Sequence, residues 1–94
     1  MQYLIVARDG KDEAAPARRA KVREEHLVGA RALSERGVLV MGGALLDDAG
    51  GMVGSAMIIE AGSEAEVREL LAADSYSRGG VWREFDIWPF RRAV

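Results

Sequence analysis

The sequence predicts one α+β domain over residues 1–94, ordered β-α-β-β-α-β, with a four-stranded antiparallel sheet carrying two helices on one face. Three observations predict it. Four short runs rich in β-branched, aromatic or other apolar residues are interleaved with two segments of helical period. Clusters of Gly and Asp mark the changes of period. A chain of 94 residues, 49% apolar and 30% charged, falls in the range of one small globular domain.

The first strand is predicted over Tyr3–Arg8, a nearly continuous apolar run ended by the Asp9-Gly10 turn signal. Ala14–Arg36 is rich in Ala, Arg, Glu and Leu. Pro16 suits a first helical turn and Gly37 the cap beyond the last, which predicts a long first helix. Ala20, Leu27, Ala30 and Leu33 are expected on its packed stripe, with Glu24, Arg31 and Glu35 elsewhere on the wheel. Val38–Leu46 and Met52–Glu60 are the second and third strands, joined by Asp47-Asp48-Ala49-Gly50-Gly51, which has hairpin-turn chemistry. Ser63 and Glu66 have the spacing of a capping box. Val67, Leu70 and Leu71 give an apolar face to a shorter second helix ending near Ala73, with a break over Asp74–Ser77. Val81–Phe90 alternates two faces as a fourth strand, with Trp82 and Trp88 expected on the same side, and Pro89 suits an edge. Such a sheet has one uncovered face, and apolar residues there favour a homodimer, which also suits a chain too short to bury much surface alone.

Composition removes several function classes. A net charge of -2 argues against nucleic acid as partner, although Arg18, Arg19 and Arg23 cluster locally and suit a small anion. The absence of cysteine excludes disulfides, thiol catalysis and thiolate metal sites. One histidine with scattered carboxylates offers no metal motif, and no cofactor is expected. Gly42-Gly43 and Gly50-Gly51 match neither phosphate-binding fingerprint and are expected at turns and close approaches. The apolar run near the N-terminus is far short of a signal segment or membrane span, so a cytoplasmic location away from membranes is expected.

The chemistry concentrates on few residues. Arg19, Arg23 and His26 are four and then three apart, so all three project from one helix face toward a common group. The plainer reading is a boundary histidine bonded to backbone, with arginines pairing to Glu13, Glu24 or Glu35 on a solvated face. Asp74 ends the second helix, where the dipole disfavours a carboxylate unless it caps a turn or has another task. His26 and Asp74, if brought together, suit acid–base work.

The pattern Arg23, His26-Leu27, Gly37, Gly43, Gly54-Ser55, Glu60, Ala73-Asp74, Tyr76, Gly80-Val81 and Pro89-Phe90 resembles the YciI-like family over nearly the whole chain. The resemblance implies a ferredoxin-like subunit that pairs into a dimeric α+β barrel. It also implies a cleft holding a histidine of the first helix and an aspartate after the second, here His26 and Asp74. Related members act on ring compounds such as chlorinated hydroxyquinols by lyase or dehydrochlorinase chemistry. On that basis His26 is expected as general acid or base and Asp74 as its orienting group. Arg19 and Arg23 are expected to hold an anionic or enolate-like oxygen, with Ser55 adding a hydrogen bond. A non-catalytic small-ligand-binding or accessory dimerisation domain is the alternative. Two family prolines are replaced by Ala44 and Ser75, which is expected to loosen the turns framing the cleft.

Overall fold

The computed structural model describes all 94 residues. The elements are β1 (Gln2–Asp9), α1 (Ala15–Glu35), β2 (Leu39–Leu46), β3 (Met52–Glu60), α2 (Glu64–Ala73), α3 (Ser75–Arg78) and β4 (Trp82–Phe90). The strands form one antiparallel sheet ordered β2-β3-β1-β4, the ferredoxin-like arrangement, and β4 with its Pro89 lies at an edge as expected. The expected break after α2 is instead a four-residue helix, α3. Asp74 creates it by capping: its side chain accepts a hydrogen bond from the Tyr76 backbone N–H at 2.8 Å.

Strand β1 is central and alternates strictly. Tyr3, Ile5, Ala7 and Asp9 face the helices and are buried, while Gln2, Leu4, Val6 and Arg8 on the other face are half-buried. The core joins Tyr3, Ile5 and Ala7 to Ile59 of β3, Val67 and Leu71 of α2, Tyr76 of α3, and Val81 and Trp82. On the uncovered face Met41 is 67% exposed and Trp88 48%.

Helix α1 ends in a Schellman cap, with Gly37 at φ 75°, the Gly37 N–H donating to the Ser34 carbonyl and the Val38 N–H to that of Leu33. Its packed face is rotated from the expected stripe: Ala20 is exposed, whereas Ala15 and Arg19 are buried. Arg19 is drawn inward by Asp9, and Ala20 lies about 100° further round the helix. Leu27, Ala30 and Leu33 are only half-buried. Strand β2 offers small residues beneath them, Gly42 and Ala44, so helix and sheet do not close on each other there. Gly42 and Gly43, expected at turns or close approaches, and Ala44, whose turn was expected to be loosened, lie inside β2, within the strand expected over Val38–Leu46.

Trp82 and Trp88 do not share a face. Asp9 pairs with Trp82 and Arg8 with Glu84, so Arg83 is an extra residue in a β-bulge that reverses the alternation. Trp82 turns into the core and Trp88 outward.

Gly54 of β3 packs so closely on β1 that a Cβ there would collide with the carbonyl oxygen of Ala7. Backbone cannot give way as a side-chain tip can. Gly54→Ala is expected to cost about 1–3 kcal/mol, read as a lowered unfolding midpoint in urea with an unchanged slope.

Candidate active site

Between the inner face of α1, the start of α3 and strands β2 and β3 lies a cavity of about 180 Å³. The small residues Gly42 and Ala44 on the inner face of β2 leave this space beneath α1. All five residues singled out in the sequence, Arg19, Arg23, His26, Ser55 and Asp74, line it, together with a majority of apolar residues.

His26 and Asp74, 48 positions apart in sequence, meet with His26 Nδ1 2.7 Å from Asp74 Oδ1. Both side chains are about 15% exposed, enough for a substrate atom to reach them and little enough to limit competing water. The same carboxylate oxygen accepts the Tyr76 N–H, so turn capping and orientation of the imidazole are one arrangement rather than alternatives. The His26 ring is stacked on Tyr76, with centroids 3.8 Å apart and planes 11° from parallel, and Trp82 meets it edge-on at 5.6 Å. Pinned on its face, its edge and one nitrogen, the ring has one orientation. Its Nε2 has no partner in the protein.

Arg19 and Arg23 part company. Arg19 Nη1 donates to both oxygens of Asp9, at 2.9 and 2.8 Å, and Nη2 to Ser55 Oγ at 3.1 Å. Both charged side chains are almost wholly buried, and the guanidinium also lies 4.6 Å from the Tyr76 ring centre. The pairing with Glu13, Glu24 or Glu35 considered from sequence does not form. Arg23 is exposed, lines the cavity mouth and makes no ion pair.

Sequence reasoning missed Asp9, Tyr76 and Trp82 as site residues. Asp9 has the burial parity of Tyr3, Ile5 and Ala7, a signal hidden by its place before Gly10. Tyr76 follows the capping Asp74 by two, the spacing of an Asx turn into a helix. Burial pushes the Tyr76 hydroxyl above its usual range, against the pull of Arg19 and Arg23, so it is a neutral phenol at physiological pH. No set of three or more His, Cys, Asp or Glu side chains comes together as for a metal ion, and no helix is long and apolar enough to cross a membrane.

Comparison with solved structures places the chain beside 5-chloro-2-hydroxyhydroquinone dehydrochlorinase (TftG) from Burkholderia phenoliruptrix AC1100, in complex with 2,5-dihydroxybenzoquinone. The TM-score is 0.84 at 23% identity, covering 99% of this chain and 96% of that one. Protein Atu4242 from Agrobacterium tumefaciens aligns with a TM-score of 0.53 at 24% identity, covering 99% and 94%. At these identities the likeness is one of fold. The derivative of benzaldehyde biosynthesis cluster protein C of Emericella nidulans is 44% identical over a stretch covering 66% of this chain and 70% of that protein. The model of the YCII-related domain matches residues 1–91. With that match over nearly its full length, the chain belongs to the YCII-related domain family.

Proposed function

We propose that this protein is a small-molecule enzyme in which His26 moves a proton at a hydroxylated ring and Asp74 holds it in the tautomer that can do so. The observation that carries this reading is the 2.7 Å contact between His26 Nδ1 and Asp74 Oδ1 at the wall of a ligand-sized cavity. In the neutral imidazole, donation from Nδ1–H to the carboxylate leaves the lone pair on Nε2, which is free of protein partners and can accept a proton.

The cavity size and lining fit one six-membered ring, since an apolar cavity of about 150 Å³ takes up benzene. The reaction that fits is loss of HX from a ring carrying hydroxyls and a leaving group, the chemistry named for the dehydrochlorinase with which the fold is shared. His26 Nε2 takes a proton from a ring hydroxyl and delivers it to the carbon bearing the leaving group, turning that hydroxyl into a carbonyl. The leaving group departs as its anion with the bonding electrons. Loss of a second hydroxyl proton then gives a quinone, so the balance is HX and no oxidant is required. Arg23, the unpaired cation at the mouth, attracts an anionic ring.

His26→Ala is expected to lower turnover of 5-chloro-2-hydroxyhydroquinone, followed as chloride release, by on the order of 10²–10⁴ while the thermal melt stays within a few degrees of the wild type. Wild-type turnover in that variant, or none in the native protein across halogenated hydroxyquinols, would remove the proposal.

The functional unit is proposed to be a homodimer that covers the uncovered sheet face, where Leu4, Met41, Ile58 and Trp88 are clustered. A carboxylate introduced at its centre would be buried without a partner. Ile58→Asp is expected to convert a dimeric sedimentation profile into a monomeric one at micromolar concentration.

A further inference from the structure

We propose that Ser55 is the hydrogen-bond donor for a carbonyl or enolate oxygen of the ring substrate, with Arg19 and Trp82 as the positioning residues that leave it no other role. The inference rests on the proposed ring-directed proton transfer for its substrate class, but its geometry stands apart from His26.

The argument is a count of lone pairs. A serine hydroxyl has two acceptor sites and one donor, whereas arginine and the tryptophan indole can only donate. Ser55 Oγ receives Arg19 Nη2 at 3.1 Å and Trp82 Nε1 at 3.2 Å, so both its acceptor sites are filled. The remaining valence is the proton. No acceptor in the protein takes it, and Ser55, only 5% exposed, lines the cavity. An acceptor on the ligand therefore satisfies this hydroxyl, and a ligand that offers only a donor hydrogen meets another proton.

The two positioning residues are themselves fixed. Arg19 is held by both oxygens of Asp9, which also offsets its charge, and Trp82 is wedged against Tyr76 and Phe85 with ring centres 5.4 and 5.7 Å apart. Donation from a guanidinium polarises the Ser55 O–H and strengthens it as a donor. Trp82 also meets the His26 ring edge-on, so the donor and the proposed base, both lining the cavity, are braced by one buried side chain. As His26 takes the proton of a ring hydroxyl, negative charge grows on the oxygen left behind, and a fixed donor is what stabilises such an oxygen.

The test uses acetophenone and α-methylstyrene, which have the same shape and heavy-atom count and differ in carrying a carbonyl oxygen or a methylene. The ratio of their affinities, measured by ligand-observed NMR, isolates the acceptor atom. Replacing Ser55 with alanine is expected to lower the acetophenone preference by about fivefold, the size of one net hydrogen bond, while Ser55→Thr keeps it. His26→Ala, which removes turnover in the proposed reaction, is expected to leave the ratio unchanged, so the two readings fail separately. Ser55→Ala also strands two buried donors. If it does not fold, Trp82→Phe supplies the second readout: freeing one lone pair should raise the affinity for phenol relative to acetophenone. An unchanged ratio in folded Ser55→Ala, an unchanged phenol preference in Trp82→Phe, or failure of folded wild-type protein to take up acetophenone would each overturn the assignment.

Discussion

Arg19→Met is expected to destabilise the protein by about 3–5 kcal/mol, because it strands the Asp9 carboxylate in the core without its cation. Asp9 is 7% exposed and Arg19 5%, and no other cation contacts Asp9. Removing both charges should cost far less than removing one. The double variant Asp9→Leu/Arg19→Met is therefore expected to recover most of the loss, and chemical denaturation of the four proteins gives the coupling directly. Equal and additive losses would show that the pair does not act as a unit. The pair also orients α1: with Arg19 turned inward, His26, seven residues on, falls on the same side of the helix.

Asp74→Asn is expected to lower turnover by on the order of 10²–10⁴ while costing little stability. The amide oxygen can still cap the Tyr76 N–H, so α3 survives. The same amide oxygen, standing where Oδ1 does, still accepts from His26 Nδ1–H, so ring orientation and tautomer are kept; what is lost is the negative charge that favours the imidazolium formed as His26 takes its proton. Asp74→Ala removes the cap as well and should add about 1 kcal/mol of destabilisation to a similar loss of rate. A fall in stability for Asn equal to that for Ala, with activity retained, would assign Asp74 to capping alone.

Much of the fold was legible because its signals are local. The apolar run of Tyr3–Arg8, the capping box of Ser63 and Glu66, and Gly37 beyond α1 each act within a few residues, and each lies where those interactions demand. The Glu66 carboxylate reaches back to the N–H of Gly62. The misplaced features depend on distant partners. Ala20 was expected inward from the helix wheel alone, but the helix is turned by a carboxylate on another strand. Trp88 was expected beside Trp82 by parity, and one inserted residue, Arg83, reverses parity without any mark in composition. The five lining residues were nameable from spacing and family resemblance. Their division of labour was not, since nothing near Arg19 in sequence says that its charge is consumed by Asp9 while that of Arg23 stays free.

The most direct measurement of the central claim is the pair of ¹⁵N shifts of the His26 ring in the neutral state, recorded by two- and three-bond ¹H–¹⁵N correlation, in the wild type and in Asp74→Ala. A protonated Nδ1 with a bare Nε2 in the wild type, reversed in Asp74→Ala, where no carboxylate accepts from Nδ1–H, is the predicted result. A proton on Nε2 in the wild type, or the same tautomer in both proteins, would contradict the claim that Asp74 prepares His26 as a base.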